Sequence, residues 1–345
     1  MDIEVDVPLA ARTTLGVGGP AARLTTVTTL DELRDALADA ARADERVLVL
    51  GGGSNLVVSD AGWPGLVIHI GLGGVSYATD GDHVRVTAGA GVSWDAFVAE
   101  IVDAGLVGIE CLAGIPGLVG ATPIQNVGAY GQEVADTLVT VRVLDRTTGE
   151  VVTIDRDACG FAYRTSVFKG SERWIVLDVQ FRLGRDTAGA PIRYGELARS
   201  LEISEGDRAP LADVRRTVIE LRRGKGMVLD PGDPESRSAG SFFMNPIVDA
   251  ATLALIRSRL AAGVVMPAFP QPDGSTKLSA GWLIEQSGFA KGFTIGRVGI
   301  SRKHALALVN RGGATARELL ELARMIVAGV HARWGVWLVP EPVVV

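Results

Sequence analysis

Cysteine is scarce in this chain: Cys111 and Cys159 are the only two in 345 residues, and they have no paired spacing. That excludes a disulfide scaffold and a cysteine zinc site, and it fits a reducing compartment. The four histidines, His69, His83, His304 and His331, are scattered, so no histidine metal centre is expected either. Basic charge is not in excess. Lys and Arg total 34 against 40 Asp and Glu, a formal net charge of −6, and no basic stripe occurs. Nucleic acid and anionic membrane surfaces are therefore excluded as partners. A long hydrophobic run is also missing. The most apolar long stretch, residues 105–121, holds Glu110, Pro116 and five glycines, which argues against a membrane-spanning helix. Residues 1–10 carry Asp2, Glu4 and Asp6 and lack the basic start and apolar core of a secretion signal. The expectation is a cytoplasmic protein with no obligatory protein partner.

What is present suits a large folded chain. Hydrophobic residues make up 47%, and the length suggests two or three domains. A helix is expected over about 31–43, capped by Thr29 with Asp31 and Glu32 in its positive first turn. Strands are expected at 47–50, 66–70, 84–88, 139–144, 151–154 and 174–181, with a helix near 93–103 among them. Residues 185–209 read as a polar linker with an embedded element. Leu211, Val214, Val218 and Leu221 recur at helical spacing and place a helix over about 211–223. A loop over 224–240 follows, then helices near 250–260, 279–287 and 315–334 and strands near 305–309 and 336–339.

Five segments carry chemistry. Gly51-Gly52-Gly53-Ser54-Asn55-Leu56 follows a strand, and a glycine run there lets backbone N–H groups form an anion nest suited to a diphosphate. It matches neither Gly-x-Gly-x-x-Gly nor a P-loop. Residues 114–131 hold five glycines and two prolines in eighteen residues yet are largely apolar. Such a loop suits a backbone pressed against a flat apolar ligand, such as a flavin ring, or a buried structural loop. Arg164 lies among aromatic and small residues in Gly160–Ser166, where a charge needs an anionic ligand or an internal salt bridge. Ser241 precedes two phenylalanines in a Gly-Ser-Phe-Phe turn. Glu341 stands between two prolines at the end of the apolar stretch Trp337-Leu338-Val339.

In this order and spacing the segments resemble the UDP-N-acetylenolpyruvoylglucosamine reductase family, over about residues 13–341. The specific parts are 123–131, 163–166, 240–246 and 337–341. The resemblance implies an α+β fold: an FAD-binding unit of the vanillyl-alcohol-oxidase (PCMH) type in two subdomains, plus a smaller α+β substrate-binding domain. The flavin unit would span 1–215, with its core at about 15–184 and a Tyr194 loop insertion. The substrate domain would span 216–330, and 331–345 would return to the active site. The implied activity is a step of peptidoglycan precursor synthesis, and so of cell-wall biogenesis, cell shape and division. NADPH as co-substrate reduces non-covalent FAD, and flavin N5 then gives hydride to C3 of UDP-N-acetylglucosamine enolpyruvate, yielding UDP-N-acetylmuramate. Ser241 would protonate C2, while Arg164 and Glu341 stabilise the enolate. FAD would contact Gly51, Gly52, Gly53, Ser54, Asn55, Leu56, Ile115, Pro116, Gly117, Gly120, Ile124, Gln125, Gly128 and Ala129. The nucleotide sugar would contact Tyr130, Tyr163, Tyr194, Lys225, Asn245 and Gln286; no metal is implied. The chain departs from the family pattern at Met244 and Val343, where relatives carry basic residues.

Overall fold

A computed structural model describes residues 2–345. The chain divides into two compact units. The first takes in the residues up to Val7, Ala21–Gly53 and Trp63–Gly224, and the second Pro8–Pro20, Ser54–Gly62 and Lys225–Val345.

The first unit holds two sheets. One has the order Glu4–Pro8, Pro20–Val27, Trp63–Ile70, Val47–Leu50, and its last three strands run parallel. Helix α1 (Leu30–Arg42) packs Leu33, Ala36 and Ala40 into this unit's core. It begins where expected because Thr29 and Glu32 cap each other reciprocally. The other sheet is antiparallel, in the order Val151–Asp155, Leu138–Asp145, Trp174–Arg185, His83–Gly89, Val75–Asp80. In His83–Gly89 the residues Val84, Val86 and Ala88 are buried while Arg85 is exposed, the period-two pattern of a sheet with one covered face. Helix α2 (Trp94–Asp103) sends Trp94 and Phe97 against Phe181, with ring centroids 5.5–6.0 Å apart.

Residues 185–209 are more ordered than a linker. They contain helix α3 (Gly195–Ser200) and are stitched across by Gly189 N–H to Ala209 O at 2.7 Å and Ile192 N–H to Asp207 O at 2.9 Å. The fully buried Glu110 carboxylate accepts from Gly108 N–H and Ala190 N–H, both at 2.7 Å, and so ties their root to the core. Helix α4 (Leu211–Gly224) closes the unit. The boundary expected at 215/216 falls inside this helix, and the units divide after it.

The second unit contains α5 (Ala250–Ser258), α6 (Ala280–Gln286) and α7 (Ala316–Trp334) with two three-stranded sheets. Helix α7 is doubly capped: Thr315 and Glu318 form a capping box, and Asp60 accepts from Ala316 N–H and Arg317 N–H. Val343–Val344 pairs in parallel with Leu56–Val57. Two strand expectations change. The one near 305–309 shrinks to Leu308–Asn310, and 336–339 is not a strand. Its residues still alternate, with Val336 and Leu338 buried and Trp337 and Val339 exposed, but no neighbour offers a continuous ladder. The strands Pro20–Val27 and Val75–Asp80 are not among the expected ones, because their polar residues hide the pattern. No helix among the described residues is long and apolar enough to cross a membrane.

Both cysteines are buried and free, and burial raises both thiols, Cys159 to about 11. Since only thiolate reacts, native protein at about pH 8 should not be labelled by a disulfide reagent over minutes. Two thiols per chain should appear on unfolding, as a colorimetric thiol titration would read.

Candidate active site

In the first unit the two glycine segments press backbone against backbone. A Cβ at Gly52 would stand 2.8 Å from the Gly117 Cα, and one at Gly120 would stand 2.5 Å from the Ala90 Cβ. Main-chain bonds fix this approach: Gly120 N–H to Ala90 O at 2.9 Å, Val119 N–H to Val92 O at 2.9 Å, and Trp94 N–H to Gly117 O at 3.0 Å. Gly51, Gly52, Ile115, Pro116 and Gly117 are half-buried, Gly53 and Gly120 are buried, and Ile124 is exposed. The arrangement is a rigid glycine-lined wall with part of its backbone accessible. A separate open depression of about 350 Å³ lies at the ends of the parallel strands, lined by Thr28, Leu72, Gly74, Thr87, Arg142 and Asp178 among others. None of the residues expected to hold a ligand lines it.

Arg164 sits on a loop laced to the 124–128 segment. Its guanidinium donates to Gly128 O at 2.7 Å and Asn126 O at 3.3 Å, and lies 5.6 Å from the Tyr163 ring. The Ser166 hydroxyl donates to Ile124 O at 2.6 Å, and Lys169 Nζ donates to Arg164 O at 2.8 Å. Carbonyl oxygens thus help hold Arg164. Tyr130, next in the same segment, is buried and meets the half-exposed Tyr194 edge-on at 5.3 Å. Gly131 allows this, since a Cβ there would stand 2.9 Å from the Arg193 Cβ.

Arg222 is not among the residues expected to bind a ligand. It is buried, and that burial lowers its guanidinium to about 10; Tyr130 and Asp95 oppose the shift and Arg164 adds to it. Burial in turn pushes the Tyr130 phenol up to about 12, with Arg222 opposing. Arg222 thus lies within electrostatic reach of Arg164, Asp95 and Tyr130, and Tyr130 within reach of Glu196. The sequence held the signal. Position 222 follows Val218 by four residues and so belongs to the buried stripe of α4, where an arginine is out of place.

In the second unit, Ser241 and Glu341 are brought onto neighbouring segments. Phe242 and Phe243 are both buried, which anchors the turn and leaves Ser241 half-buried at its lip. Glu341 N–H donates to Phe242 O at 2.9 Å, Met244 N–H donates to Val339 O at 3.0 Å, and Phe243 bridges Pro340. The Asn55 amide donates to Glu341 O at 3.2 Å, and Val343 N–H donates to Asn55 O at 3.0 Å. Thr14 Oγ1 joins Ser238 O at 2.7 Å and Ser54 O at 3.3 Å. Ser54, Asn55 and Leu56 thereby share a framework with Ser241 and Glu341. Asn245 Oδ1 accepts from Ala280 N–H at 2.9 Å, at the start of α6, while Gln286 ends that helix, about 9 Å along its axis. Lys225 is half-buried at the beginning of the loop after α4. The apolar stretch before Glu341 is only partly buried. Trp337 and Val339 point outward, and the Trp337 ring stacks on His331 at 3.7 Å.

Comparison with known proteins fits this layout. Residues 21–155 match the FAD binding domain model, and residues 233–345 match the model of the UDP-N-acetylenolpyruvoylglucosamine reductase C-terminal domain. The fold and these matches define an FAD-dependent oxidoreductase of mixed α+β class. The chain is 55% identical to the UDP-N-acetylenolpyruvoylglucosamine reductase of Thermobifida fusca, over 99% of this chain and 97% of that one. It is 53% identical to that of Saccharopolyspora erythraea, over 98% and 94%. The crystal structure of the Thermus caldophilus enzyme superposes with a TM-score of 0.67 at 30% identity, covering 99% of this chain and 98% of that one. The chain belongs to the UDP-N-acetylenolpyruvoylglucosamine reductase family.

The glycine wall generates a test. Gly52→Ala should force Gly117 away and loosen flavin retention. The purified variant should carry at least about tenfold weaker FAD affinity, on the order of 1.4 kcal/mol, as measured by fluorescence titration of apoprotein. Undiminished affinity would mean this contact does not shape the cofactor site.

Proposed function

We propose that this chain reduces UDP-N-acetylglucosamine enolpyruvate to UDP-N-acetylmuramate in the cytoplasm, with NADPH as electron donor and FAD held non-covalently. The observation that carries this reading is the pair of segments, cross-bonded through their main chains, that carry Ser241 and Glu341. The glycine wall fits the cofactor, because the Gly52 and Gly120 positions have no room for side chains. Gly51–Leu56 would hold the diphosphate, and residues 115–129 would face the ring system. Bound flavin supplies the hydride that reaches C3 of the enolpyruvyl group.

The chain's own residues supply the rest. Arg164 binds the substrate carboxylate, and Arg222 stands within electrostatic reach of it. Removing one such preorganised donor costs about 10²–10³ in rate. Glu341 donates a hydrogen bond to the oxygen where negative charge develops. Ser241 delivers a proton to C2, a contribution of about 10²–10⁴. Tyr194 closes over the nucleotide while Tyr130 and Tyr163 line its path. Lys225, Asn245 and Gln286 hold the nucleotide end. No histidine lies in the glycine segments, which argues for FAD released intact on denaturation.

The test of the whole reading is anaerobic. NADPH should bleach the flavin, and the enolpyruvyl nucleotide should restore its absorbance; failure of the second step rejects it. In Ser241→Ala, bleaching by NADPH should stay within about twofold while reoxidation slows by about 10²–10⁴. Equal slowing of both steps would assign Ser241 a structural role.

Glu341 must carry a proton to stabilise an enolate, since an ionised carboxylate would repel it. Glu341→Gln keeps a neutral donor. In stopped flow on pre-reduced enzyme it should retain far more reoxidation activity than Glu341→Ala or Glu341→Asp. A Gln variant as slow as the Ala variant would show that Glu341 works as an anion or proton carrier.

A further inference from the structure

Six non-glycine residues in the described chain adopt positive φ, and three of them, Asn126 (45°), Tyr130 (48°) and Arg164 (54°), belong to the single laced patch around Arg164. A left-handed conformation is tolerated by asparagine but disfavoured for tyrosine and arginine, so something must hold Tyr130 and Arg164 in it. Asn126 is placed to do so. It is buried, and its side-chain amide is engaged at both ends. The amide nitrogen donates to Glu133 Oε2 at 2.7 Å and to Ala162 O at 3.3 Å, and the amide oxygen accepts from Ala135 N–H at 3.0 Å. Its main-chain oxygen accepts from Arg164 Nη1 at 3.3 Å. One side chain therefore joins the segment expected to face the flavin, the Glu133–Asp136 turn and the strand-like entry to the Arg164 loop.

We infer that Asn126 is the positioning residue for Arg164: its amide fixes the loop that aims the guanidinium. The inference rests on the proposed role of Arg164. Only an amide fits, because the site presents a carboxylate and a carbonyl on one side and an N–H on the other. Aspartate has the same shape but the wrong polarity, and would set a carboxylate against Glu133. The charged groups facing this point are Glu133, Arg164 and Asp136, whose Oδ2 accepts from Glu133 N–H at 3.0 Å. Arg156 Nε donates to Ala135 O at 2.8 Å, and Lys169 bonds to the Arg164 carbonyl.

Asn126→Asp supplies the experiment. Flavin reoxidation by the enolpyruvyl nucleotide should slow on the order of 10², the effect of misplacing a reacting group by about 1 Å. Bleaching by NADPH should slow far less than reoxidation, because the proposed role of Arg164 is to hold the enolpyruvyl carboxylate. The introduced carboxylate and Glu133 repel each other, which raises the pKa of the pair. Lowering the pH should therefore protonate it and recover reoxidation relative to the parent measured at the same pH. Adding Glu133→Gln restores one amide and one carboxylate in exchanged places, and should recover at least about tenfold of the loss. Hydrogen exchange of residues 161–169 gives a readout that needs no substrate. It should rise in Asn126→Asp and fall back in the double variant. Parental exchange and rates in Asn126→Asp overturn the inference. So does equal slowing of both half-reactions without recovery by pH or by Glu133→Gln. Unaltered exchange overturns it even if the enolpyruvyl nucleotide is not the substrate. The parent's failure to reoxidise with that nucleotide rejects only the functional reading.

Discussion

Main chain against main chain, with no side chain between, is the contact on which the first unit turns. At Gly52 and Gly120 there is no room for a Cβ: the loop after Val47–Leu50 lies directly against Gly117, and the 117–120 segment and the 90–94 turn lock together through N–H···O bonds. The next residues in line, 124–130, inherit that rigidity and pass it to Arg164 and Tyr194 by hydrogen bonds and ring contact. The order of the candidate site in this unit therefore begins with a steric exclusion, and charge is added only at the end of the chain of contacts.

The second unit reaches a comparable precision by other means. Two adjacent buried phenylalanines pin the Ser241 turn, and a short antiparallel exchange of bonds aligns it with the segment carrying Glu341. Thr14 and Asn55 draw in two segments from far earlier in the chain. The site groups here are held by loops, and the loops are held by apolar anchors and single polar links.

Most helices and the long strands are legible in the sequence because their signals are local. The Thr29–Glu32 capping box and the valine alternation of His83–Gly89 are examples. Polar edge strands such as Val75–Asp80, with nearly every residue exposed or half-exposed, carry no such pattern. The units divide after Gly224, and two short stretches, Pro8–Pro20 and Ser54–Gly62, belong with the later part of the chain, which no local signal announces. Arg222 can be found from its place on the buried stripe of α4. The lacing of Asn126 cannot: its partners Glu133, Ala135 and Ala162 are brought to it only by the fold.

That crossing of segments has a consequence for biosynthesis. Leu15, Val17 and Val57 belong to the same core as Ile326, Val330 and Trp334. On the ribosome the first three emerge hundreds of residues before the last three, so their apolar surface has no native cover for most of translation. The first unit's main stretch can fold while synthesis continues, at about 5–20 residues per second. The second unit must wait for its final helix. The nascent chain thus carries these apolar side chains for tens of seconds before their native partners are made.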